Sequence, residues 1–93
     1  ERLITKFVLK FPGDPSFSQL QSTLEEKNVE EAFRAAHTLK GVAQNLGFTP
    51  LYEATATLTE VLRAGNLPED DNMMNAVAKE YERTVAAIEQ LNA

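Results

Sequence analysis

Apolar residues recur at three- and four-residue spacing along nearly the whole chain, a period that predicts helices and leaves no strand competitor. Leu3, Ile4, Phe7, Val8 and Phe11 mark a short first segment, which the prolines and glycine of PGDP at 12–15 stop. Asp14 followed by Pro15 makes an N-cap and first-turn pair for a second helix. Phe17, Leu20 and Leu24 give its inward face, and it ends near Lys27. Asn28 then opens a third helix, with Glu31 placed to reach back in a capping box. Its stripe is Ala32, Phe33, Ala36, Leu39, Ala43 and Leu46. Gly47 suits a left-handed closure, and Phe48 can fold back on the last turn. Thr49 and Pro50 restart the chain as cap and first turn. Leu51, Ala54, Leu58, Val61 and Leu62 form the fourth helix's buried face, and Arg63 and Gly65 close it. After NLPEDD, the series Met74, Val77, Ala78, Tyr81, Val85, Ile88 and Leu91 runs to the C-terminus.

Four substantial amphipathic helices behind a shorter one predict an all-α, antiparallel four-helix bundle with a short additional N-terminal helix. Ninety-three residues suit one core, so residues 1–93 are read as a single domain. The chain begins at Glu1 with no signal-peptide pattern, and it reads as a piece of a longer protein.

Charge narrows the function classes. Nine Lys plus Arg against fourteen Asp plus Glu is the wrong balance for holding a polyphosphate backbone, so nucleic acid is not an expected partner. There is no polybasic cluster and no apolar run long enough to cross a bilayer, so no membrane contact is expected. The lack of cysteine fits a reducing cytoplasm and offers no thiolate for metal.

Candidate chemistry gathers on the third helix. At about 100° per residue, the only histidine, His37, falls roughly 120° from the centre of the apolar stripe and should face outward. Arg34 and Lys40 stand three residues to either side of it. Gly41 follows one turn later, where glycine costs about 0.8–1.0 kcal/mol relative to alanine. A missing Cβ beside an exposed imidazole makes room for another backbone or a phosphoryl group. Gln44, a further turn along, can line the same surface.

The stretch AHTLKGVAQNLGF, with His37, Lys40, Gly41 and Gly47 in the pattern H-x-x-K-G and a helix-ending glycine, resembles the histidine-containing phosphotransfer (HPt) domain family. The resemblance in helix order extends over nearly the whole chain. It implies that His37 accepts a phosphoryl group from a receiver-domain aspartate and passes it to another receiver, with Lys40 assisting. It also implies response-regulator receivers as partners, with a hybrid histidine kinase as a further one. The partner supplies Mg2+, and this chain needs no cofactor and binds no metal of its own. Members often carry Gln or Glu about twenty-two positions after the histidine to orient it. Here that position is Thr59.

No nucleotide-binding loop is present, so phosphate must come from a partner and no autonomous kinase activity is expected. The competing reading is a helical-bundle adaptor that binds signalling partners without being phosphorylated. A hydrolase or metalloenzyme has no support, because one histidine without convergent carboxylates makes neither a triad nor a zinc site.

Overall fold

The computed structural model describes Phe11 and residues 14–91, the side chain of Leu91 excepted. Four helices make up this part: α1 (Ser16–Glu25), α2 (Val29–Leu46), α3 (Thr49–Arg63) and α4 (Asn72–Leu91). They are the second to fifth helices expected from the pattern, and no strand occurs among the described residues. The expected N-terminal helix lies outside the described residues apart from Phe11.

The α2 helix is the centre of the assembly, packing against α1 on one side and α3 on the other, while α3 also packs against α4. Its buried residues are Ala32, Ala35, Ala36, Leu39 and Ala43, mostly small ones. Alanines at this position let two neighbouring helices come close, and the larger side chains Leu20, Leu51, Leu58 and Leu62 arrive from those neighbours. From α4, Val77 and Ile88 complete the core. Aromatic rings join the elements further: Tyr81 of α4 stacks on Phe17 of α1 at 4.0 Å, and Phe11 meets both Phe48 and Tyr81.

The helix ends follow the expected local chemistry with three corrections. The cap position of α1 falls on Pro15, not Asp14, and carries no side-chain cap bond. Asp14 Oδ1 accepts from the Ser16 N–H at 2.8 Å, and Asn28 Oδ1 accepts from the Glu31 N–H at 3.2 Å. The reciprocal half of the capping box is not formed. The Asn28 N–H donates to the Thr23 carbonyl, and the Glu31 carboxylate pairs with Arg34. Thr49 does not cap α3 either: Phe48 holds that position without a side-chain bond, and Thr49 is already the first helical residue. The first turn instead runs from the Tyr52 N–H to the Phe48 carbonyl at 2.8 Å.

Three helices end alike. After α2, Gly47 takes φ +80°, and the Phe48 N–H reaches back to the Ala43 carbonyl. After α3, Gly65 takes φ +86°, and the Asn66 N–H reaches the Val61 carbonyl. After α1 the left-handed residue is Lys27, at φ 59°, with the Asn28 N–H on Thr23. Each is a Schellman closure that satisfies carbonyls the helix leaves open.

Candidate functional site

His37 sits at the middle of α2 and is exposed, because the residues that α2 buries lie on its other faces. Lys40 and Gly41, one turn on, are half-buried, and Gln44 is exposed another turn along. Spacings of three and four residues place all four on one strip of the helix. Among the described residues Lys40 makes no salt bridge, so its ammonium stays available beside the imidazole.

Gly41 is mid-helical, not at one of the left-handed positions, so backbone conformation does not demand glycine there. A Cβ built on it would meet nothing within 4 Å among the described residues. Packing among the described residues does not demand glycine either, and the helix bears its propensity cost with no return from them. The open space lies one turn from the imidazole.

Two expected neighbours of His37 are placed otherwise. The Arg34 guanidinium pairs with Glu30 at 3.2 Å and Glu31 at 3.1 Å, both toward the N-terminus of α2 and so away from His37. Thr59 is a clearer correction. It is fully buried, and its hydroxyl donates to the Thr55 carbonyl at 2.7 Å, as the Thr55 hydroxyl does to Leu51. A β-branched hydroxyl inside a helix can satisfy itself on the preceding turn, which lets it sit among apolar side chains. Thr59 therefore offers no exposed surface to a docked partner, and among the described residues it makes no hydrogen bond to His37.

The groups that do meet the imidazole region include two that sequence reasoning passed over. Phe33, one turn before His37, lies with its ring centroid 5.9 Å from that of the imidazole, at an interplanar angle of 54°. Arg63, at the end of α3, places its guanidinium carbon 5.2 Å from the centre of the Phe33 ring. The four-residue spacing signals the first contact. Nothing local signals the second, since it requires α2 and α3 to be folded together. No group of three or more potential metal ligands converges among the described residues.

Residues 13–90 match the family model described as Hpt domain. This chain belongs to the Hpt domain family. Searches of curated proteins and of solved structures return no match. Membership brings phosphotransfer in two-component signalling as the general activity, with receiver domains and kinases as the class of partner. The helical bundle of this Hpt domain agrees with that assignment. None of the described helices is long and apolar enough to cross a membrane.

Proposed function

We propose that this Hpt domain is a phosphorelay intermediate whose His37 carries the phosphoryl group between receiver domains. The observation that carries the reading is an exposed imidazole at the middle of α2, with, among the described residues, open space over Gly41 and no salt bridge to Lys40 one turn away. Neutral imidazole is a nucleophile at physiological pH. A ring nitrogen lone pair attacks the phosphorus of a receiver's aspartyl phosphate. An N–P bond forms, the acyl P–O bond breaks, and its electron pair leaves with the aspartate carboxylate. The other ring nitrogen then releases its proton to solvent. Attack by a second receiver's carboxylate reverses these steps and returns His37 to its starting state.

Phosphoryl transfer depends on alignment and charge neutralisation, so a preformed surface can support it without a pocket. Lys40 can donate a charge-assisted hydrogen bond to the new phosphoryl oxygens. Gln44 extends the strip a partner would cover. Arg34, with its carboxylate pairs exposed to solvent, can exchange them for a docked acidic group at little cost. The receiver brings its own Mg2+, and this chain contributes the nucleophile, the cation and the clearance.

The test is incubation with a panel of receiver domains charged by a small-molecule phosphodonor. The expected product is an acid-labile, alkali-stable label on the wild-type protein, absent from His37→Gln, with the circular dichroism of the variant unchanged. Label persisting on His37→Gln would move the acceptor elsewhere. A wild type that no receiver labels would favour the adaptor reading.

A further inference from the structure

We propose that Phe33, whose ring is also contacted by Arg63, is a positioning residue that sets the orientation of the His37 imidazole. This deepens the phosphotransfer reading and rests on it. Side chains on a helix lean toward its N-terminus, so His37 leans over the residue four positions earlier, which is Phe33. The two rings are at 5.9 Å and 54°, within the range of a favourable aromatic pair. An exposed histidine with no such neighbour would sample its rotamers freely.

Phe33 can act as a reference surface only if it is itself fixed. It is partly buried and packs against the core from α2. Its ring also carries the Arg63 guanidinium at 5.2 Å, a cation–π contact across the α2–α3 hairpin. Arg63 is tethered in turn by Glu60, with Nε to Oε2 at 3.2 Å. The resulting series, Glu60 to Arg63 to Phe33 to His37, ties the ring on α2 to the end of α3. Thr59, whose hydroxyl is spent on its own helix, takes no part in it. Orientation of the attacking lone pair then comes from a tilted ring–ring contact instead of a hydrogen bond. A misaligned nucleophile can lose about a hundredfold in rate, which gives such a contact room to matter.

The test compares wild type with Phe33→Leu, Phe33→Tyr and Arg63→Gln. Two readouts are taken: the His37 ring resonances by NMR, and receiver-to-His37 transfer rates as a function of receiver concentration. Phe33→Leu should move the His37 ring protons toward the shifts of a free imidazole. It should also lower the saturated transfer rate about tenfold, leaving the half-saturating receiver concentration nearly unchanged. Phe33→Tyr should restore both signals. Arg63→Gln, which leaves the core untouched, should shift the same resonances part of the way.

Unmoved His37 resonances in Phe33→Leu would overturn the inference. So would a raised half-saturating concentration at an unchanged saturated rate, which would make Phe33 a docking residue. Resonances unmoved in Arg63→Gln would overturn the part assigned to Arg63. Failure of the wild type to accept phosphate from any receiver would sink the phosphotransfer reading instead, and the NMR comparison would still decide the ring contact.

Discussion

At Gly41 two demands on one residue can be separated. Its conformation is ordinarily helical and its missing Cβ is replaced by open space, so alanine should fit without strain. Gly41→Ala is therefore expected to stabilise the fold by about 0.8–1.0 kcal/mol, read as a raised thermal midpoint. Gly41→Leu should also keep the fold yet slow transfer from a receiver, because its side chain would stand in the space beside His37. Equal transfer rates for glycine and leucine at this position would remove the clearance argument. For Lys40, a hydrogen bond from a charged donor contributes about 1.5–3 kcal/mol, so Lys40→Ala should slow transfer roughly ten- to hundredfold while Lys40→Arg keeps most of the rate. The outward placement of His37 was readable from its angle to the apolar stripe. The pairing of Arg34 with Glu30 and Glu31 was readable from their three- and four-residue spacing, whereas the burial of Thr59 was not, because its hydroxyl had a nearer partner. Thr59 found the Thr55 carbonyl, and Arg34 found the carboxylates one turn back.

The helices themselves were legible because period, caps and stops agreed. Gly47 and Gly65 both close their helices in the left-handed conformation, as a glycine after the last apolar residue suggests. Lys27 closes α1 in the same way without being glycine, which made that end harder to place. A left-handed residue with a Cβ costs about 1–2 kcal/mol, offset by the about 0.5–1 kcal/mol that glycine loses in backbone entropy. Lys27→Gly should then stabilise the protein by about 0.5–1 kcal/mol, seen as a higher urea midpoint at unchanged slope. A lower midpoint would mean that the lysine side chain does something at that turn beyond occupying it. The cap at Asn28 was legible from its residue type, whereas the missing return bond from Glu31 was not. Three residues farther on, Arg34 competes for the same carboxylate. The contact of Arg63 with Phe33 joins positions thirty residues apart, and no local pattern encodes such a pairing.

Across the whole molecule, helices of different length fill a body 39 × 20 × 19 Å, with an aromatic cluster joining Phe11, Phe17, Phe48 and Tyr81. Tyr81 links three parts of the chain there, and burial, followed by the nearby Asp14 carboxylate, pushes its phenol above the ordinary value of 10.0. The folded state therefore holds that proton more tightly than the unfolded chain does. Its contribution to stability is complete below the unfolded pKa and is lost as pH rises through the folded one. Urea midpoints of wild type should accordingly fall more steeply above about pH 10 than those of Tyr81→Phe, and parallel curves would show that the phenol is not coupled to folding. The α2 helix packs against both α1 and α3 and carries His37 at its midpoint. A phosphoryl group there would rest at the middle of an 18-residue helix packed between two others. What a receiver detects would then be the arrival of negative charge on an unchanged outline: the messenger would report by what it holds and keep its shape throughout the exchange.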